Sequence, residues 1–133
     1  MRIFIITMDD PVQTKDFIKH IIDAKKNEII GLAVPNGDRL TLSKDKSKYE
    51  YLVSLLLIMG IYSFIKNVFI SVSHKVKKVA NKYNLVNDPT IIGYAKENNI
   101  STYKIKTPNS KKFREKLTEL KPDIIINQSQ NII

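Results

Sequence analysis

Residues 119–133 read Glu-Leu-Lys-Pro-Asp-Ile-Ile-Ile-Asn-Gln-Ser-Gln-Asn-Ile-Ile, and few features leave a chain so little choice of fold. Proline cannot continue a helix, so the helical stretch before Pro122 stops there and the Pro-Asp pair turns the chain. Ile124, Ile125 and Ile126 then run without polar alternation. A strand tolerates that when both of its faces are covered, as in a parallel sheet packed by helices. The amides that follow place a largely polar loop, Asn127 to Ile133, at the carboxyl end of a strand, where open α/β sheets hold their ligands.

The same unit recurs from the N-terminus. Ile3, Phe4, Ile5 and Ile6 predict a buried strand over Arg2 to Thr7. Asp10 is placed to cap a helix with Pro11 at its first position and Gln13 at its third, and Val12, Phe17, Ile18, Ile21 and Ile22 follow at helical spacing, facing the sheet. Glu28 to Val34 predicts a second strand, closed by the Pro35-Asn36-Gly37-Asp38 turn. Asp88-Pro89 repeats the cap-then-proline start of a short helix, Ser101 to Ile105 predicts a third strand, and Thr107-Pro108-Asn109 opens a helix buried through Phe113, Leu117 and Leu120. Pro122 to Asn127 is the fourth strand. Alternating strands and helices predict a parallel sheet with right-handed crossovers.

Between these units lies a different stretch. Residues 51–72 carry Lys66 as their one charge, flanked by Lys44, Lys46 and Lys48 before and Lys75, Lys77 and Lys78 after. Length alone admits a membrane span. Lys66 and Asn67 inside the run, Gly60 as a break, and basic clusters at both ends argue against one. Two helices, about 46–59 and 61–72, fit better, packed on the sheet or on a partner subunit; membrane contact is not favoured. His74 to Tyr83 then predicts a basic amphipathic helix with Val76, Val79, Ala80 and Tyr83 on one face.

Composition excludes several classes. The 133 residues, 43% hydrophobic, suffice for one domain with a core, so 1–133 is read as a single domain. With no cysteine and two histidines, His20 and His74, neither disulfides nor a thiolate or His-rich metal site is expected. Neither histidine has a carboxylate at a spacing that suggests a base and its orienter. The N-terminal apolar run meets Asp9 and Asp10 too soon for a signal peptide, so a cytoplasmic chain is expected. The formal charge of +9 predicts attraction to polyanions, although nucleotide bias in a coding sequence yields the same Lys-, Asn- and Ile-rich composition. The four glycines, at 31, 37, 60 and 93, form neither a dinucleotide nor a Walker-type phosphate loop. For Asp9 and Asp10, helix capping weighs more than a ligand role.

Two segments resemble one family. The run Asn109 to Ile133, with its helix, Leu120-Lys121-Pro122-Asp123, apolar strand and Asn131-Ile132-Ile133 ending, resembles the folate-dependent formyltransferases, the methionyl-tRNA formyltransferase and sugar N-formyltransferase superfamily. Met1 to Pro11 is similar to the opening strand and Thr-x-Asp-Asp-Pro loop of that family, and Asn99 to Tyr103 matches its third strand. The resemblance implies a Rossmann-like three-layer α/β domain with a mostly parallel sheet, incomplete at the C-terminus and carrying a helical insertion around 46–84. It implies 10-formyltetrahydrofolate as formyl donor, held largely by main-chain groups of Gln128, Ser129, Gln130, Asn131, Ile132 and Ile133. Thr7, Met8 and Asp9 would then line the substrate side, with Asn36 to Arg39 a further contact region. The acceptor would be an amine, on a nucleotide-linked amino sugar or an aminoacyl-tRNA.

Formyl transfer passes through a tetrahedral oxyanion and needs donors aimed at it and a group that takes the amine proton. The family supplies these from an Asn-x-His motif and a later Asp that this chain lacks. The expectation is therefore an N-terminal fragment, inactive alone, with no catalytic residue of its own. The competing expectation is a non-catalytic α/β binding or oligomerisation module that associates through residues 51–72.

Overall fold

The computed structural model describes residues 1–12, 14–35 and 48–128. Strands β1 (Ile3–Thr7), β2 (Ile29–Pro35), β3 (Thr102–Ile105) and β4 (Ile124–Gln128) form one sheet in the order β3-β2-β1-β4, with every pair parallel. Helix α1 (Lys15–Lys25) joins β1 to β2; α2 (Lys48–Lys82) and α3 (Ile91–Glu97) lie between β2 and β3; α4 (Lys111–Leu120) joins β3 to β4.

Side chains alternate across a strand, so β1 feeds two cores. Ile3 and Ile5 join Leu32 and Val34 beneath Ile18 and Ile22 of α1 and Ile91, Ile92 and Ala95 of α3. Phe4 and Ile6 join Ala33 and Ile105 on the opposite face, beneath Phe113, Leu117 and Leu120 of α4. Helices thus cover both faces. The chain steps from β1 to β3 in one direction with its helices on one face, then returns across the sheet with α4 on the other. Reversing direction and face together preserves the hand of the crossovers.

A bulge in β2 sets the fit around Phe4. Ile3 pairs with Ile29, but Phe4 pairs with Gly31, so Ile30 and Gly31 both oppose one step of β1. A Cβ at Gly31 would stand 2.7 Å from Phe4 Cε2 and 3.0 Å from Tyr103 Cε2. The ring of Phe4 occupies the place of a side chain on β2.

The Leu-Lys-Pro-Asp turn works as local chemistry. Lys121 adopts a left-handed conformation and its N–H donates to the Leu117 carbonyl, closing α4. Asp123 Oδ2 accepts the Arg2 N–H at 2.7 Å and its own N–H returns to the Arg2 carbonyl at 2.8 Å. That reciprocal pair starts the β1–β4 register, Ile3 against Ile124 through Thr7 against Gln128.

Several boundaries differ from the sequence expectation. Asp10-Pro11 makes a turn rather than a helix start, with Asp10 Oδ1 accepting the Val12 N–H at 2.8 Å; α1 begins at Lys15, and Phe17 is half exposed instead of facing the sheet. Asp88-Pro89 likewise precedes the helix: Asp88 Oδ1 accepts the Thr90 N–H, and Thr90 Oγ1 caps α3 by accepting the Gly93 N–H at 3.1 Å. In both places the Asx turn satisfies the aspartate locally; Thr90 then caps α3, whereas Thr14, at the N-cap position of α1, makes no side-chain cap and turns its hydroxyl to the Met8 carbonyl. The fourth strand is not enclosed: β4 is an edge, with Ile124 and Ile125, on opposite faces, 42% and 46% exposed. Among the described residues its only strand neighbour is β1.

The break at Gly60 is present, with φ 75° and ψ 160°, a conformation reserved for glycine. Beyond it one helix runs on through Lys82 instead of ending near residue 72. From Leu52 to Lys82 the apolar stretch is not buried against the sheet. Of the two packing alternatives read from the sequence, the described residues do not supply the first.

Candidate functional site

The loop after β1 is pinned from within. Thr14 Oγ1 donates to the Met8 carbonyl at 2.9 Å, and the Asp10 N–H donates to the same oxygen at 3.0 Å. Thr7 and Met8 are buried, so of the three expected substrate-side residues, Asp9 alone brings a charged group towards solvent.

Asp9 sits where three elements meet. Its Oδ1 accepts the Ile91 N–H at 3.2 Å, the first amide of α3, and its Oδ2 lies 3.1 Å from Lys78 Nζ of α2. His74 Nε2 is 3.8 Å from the same Oδ2, an ion-pair distance too long for a hydrogen bond, and that nitrogen is buried without a partner. Lys15 stretches from α1 to donate to the Pro89 carbonyl at 2.5 Å. No sequence spacing pairs His74 with a carboxylate, and the fold supplies one in Asp9. Asp9 is 65 residues away in sequence, and only the packing of α2 against the end of β1 joins them. Lys15, Lys78 and the Ile91 amide were equally invisible to motif reading, since no spacing rule connects four separate elements.

Burial, the largest influence, holds the His74 imidazole below its usual range; Asp9 opposes this, while Lys15 and Lys78 add to it. Burial and Lys19 likewise lower the Lys15 ammonium, against the pull of Asp9. At Asp88 burial acts upwards, but the hydrogen bonds from Thr90 outweigh it and hold the carboxyl below the ordinary range. For His74 the sign of the pH effect follows. Between its lowered folded value and an unfolded value of about 6.5, the unfolded chain binds more protons, so stability falls as pH drops below about 6.5 and is fully present above it. The urea midpoint is expected to decline from pH 7.5 to 5.5 in the parent chain and to decline less in His74→Gln. An unchanged slope in His74→Gln would remove the assignment.

At the neighbouring strand end, Gln128 is the Cα partner of Thr7, and its Oε1 is a buried acceptor with no hydrogen-bond partner among the described residues. This is the point where the strand order reverses, between β1 and β4, the position at which parallel sheets open a crevice. The remaining residues expected to hold a cofactor, Ser129, Gln130, Asn131, Ile132 and Ile133, lie outside the described residues, as do Asn36 to Arg39. The structure therefore brings Thr7 and Gln128 together, with Asp9 two residues beyond Thr7. Two shallow grooves elsewhere, one along the loop from Asn84 to Asp88 and one on the outer face of α4, include none of these three. Among the described residues no three His, Asp or Glu side chains gather as a metal-ligand set.

Chemically, Asp9 is a carboxylate already engaged by a helix amide and a lysine, which suits a fastener better than a base. Gln128 offers an unengaged acceptor of the kind that orients a polar ligand. No protein-family model, curated protein or solved structure matches this chain.

Proposed function

We propose that this chain is the N-terminal part of a Rossmann-like formyltransferase domain, which transfers a formyl group from 10-formyltetrahydrofolate to an amine of a nucleotide-linked amino sugar or an aminoacyl-tRNA. The observation that carries this reading is the adjacency of Thr7 and Gln128 at the reversal of strand order, with the Gln128 acceptor buried and unpartnered. A pteridine carries amino and ring N–H donors, so a buried acceptor at that point suits it. Thr7 and Met8 form the floor of the crevice and Asp9 its charged rim. The half-exposed isoleucines on both faces of β4 support a domain in which further structure covers this edge. The oxyanion donors and the proton acceptor would come from that further structure, so the chain alone is inactive.

Calorimetric titration with 5-formyltetrahydrofolate tests this, using the chain alone and the chain continued by whatever coding sequence follows Ile133 in frame. Binding by the continued chain, weakened at least about tenfold in the chain alone, a difference of about 1.4 kcal/mol, is the expected result. Absence of binding in both would sink the folate reading. It would favour instead a non-catalytic interaction module, for which the exposed apolar surface of α2 is the specific support.

A further inference from the structure

We infer that α2 is a membrane-docking element that lies in the plane of an anionic lipid surface. Beyond Gly60, the exposed Ile61, Ile65, Val68, Val72, Val76 and Val79 recur every three or four residues and form one apolar band. Tyr62 and Phe69, 82% and 73% exposed, widen it on one side. At 100° per residue, Lys66 and Lys77 border the band on one flank and Lys75 and Lys82 on the other. The opposite side of the helix carries His74 and Lys78, the two residues that approach Asp9. The band therefore points away from the domain.

Charge selects the occupant. From Tyr51 to Lys82 there is no aspartate or glutamate. A second copy of the helix laid on this band would set lysine flanks against lysine flanks with no acidic residue of α2 between them. An anionic bilayer matches both parts of the pattern, taking the apolar band among its acyl chains and the lysine flanks at its headgroups. A spanning arrangement does not fit, because it would draw His74 and Lys78 away from Asp9 and bury Lys66 in hydrocarbon. The inference does not depend on folate binding, and it places the domain at a membrane surface.

The test is co-sedimentation of the chain with vesicles of phosphatidylcholine alone and with vesicles containing about one third phosphatidylglycerol. Binding is expected to the anionic vesicles, to weaken with added salt, and to fall about fivefold for each of Lys66→Gln and Lys75→Gln. Ile65→Asp and Phe69→Asp are expected to abolish it. Both positions are exposed, so their thermal melts should match the parent and separate lost docking from lost folding. No binding to anionic vesicles, equal binding to neutral ones, or full binding by Ile65→Asp would each overturn the inference. So would an oligomer in sedimentation velocity that Ile65→Asp converts to monomer without any vesicle binding, which would assign the band to a second copy.

Discussion

Phe4→Ala is expected to remove about 3–5 kcal/mol of stability, a large share of the roughly 5–15 kcal/mol available to a domain of this kind. The ring is fully buried, with the rings of Tyr103 and Phe113 both 5.9 Å away between centroids. Each aromatic contact adds about 0.5–1.5 kcal/mol to the burial itself. The cavity cannot be refilled from β2, because the residue opposite is Gly31, which has no side chain to move into the gap. With a urea slope of about 2 kcal/mol per molar, the unfolding midpoint should fall by about 2 M. Phe17→Ala is the control: half exposed on α1, it should cost under about 1 kcal/mol. If the two variants unfold at similar midpoints, Phe4 is not the keystone of the α4 face.

Periodicity could not have ranked these two phenylalanines. Both lie in apolar stretches at the expected spacing, and the difference arises from the β2 bulge and from where α1 begins. Strand identities were legible from the unbroken apolar runs Ile3 to Ile6, Ile29 to Val34 and Ile124 to Ile126; the burial inferred from such runs holds for the first two and fails for the third, which lies half exposed in β4. Helix starts were less so. Asp10 and Asp88 each stand before a proline, which reads as a cap, yet each spends its carboxylate on an Asx turn; Thr90 takes over the cap of α3, and α1 starts at Lys15 without a side-chain cap. The break at Gly60 was legible because a lone glycine in an apolar run is a local signal; the burial of that run was not, because burial depends on what the rest of the fold offers. Half of the candidate site was visible as a consequence of strand order. The other half, the meeting of Asp9 with His74, Lys78 and the Ile91 amide, depends on where a long helix returns to the sheet, and no short-range pattern encodes that.

That meeting makes the second large prediction, at Asp9. Asp9→Ala leaves the Ile91 N–H without its acceptor in a residue only 1% exposed, at a cost of about 1–3 kcal/mol. It also removes the anchor for Lys78 and the counter-charge of His74. The Ile91 bond holds the start of α3, and the Lys78 and His74 contacts hold α2, so the loss should appear first as local opening of these two helices and only secondarily as global unfolding. Trypsin cleavage at Lys96 of α3 is expected to accelerate by about 5- to 150-fold, the range that corresponds to that free energy when opening is fast relative to cleavage. Lys78→Ala separates the contributions: an ion pair whose lysine is 57% exposed is worth about 0–1 kcal/mol, so its effect should be several times smaller. Asp9→Asn should fall between them, since the amide oxygen still accepts from Ile91 while the charge that holds Lys78 is gone. If Asp9→Ala is cut no faster than the parent, or no faster than Lys78→Ala, then α2 and α3 are held at this junction by contacts other than this carboxylate. The orientation of the apolar band of α2 would then need another support than Asp9.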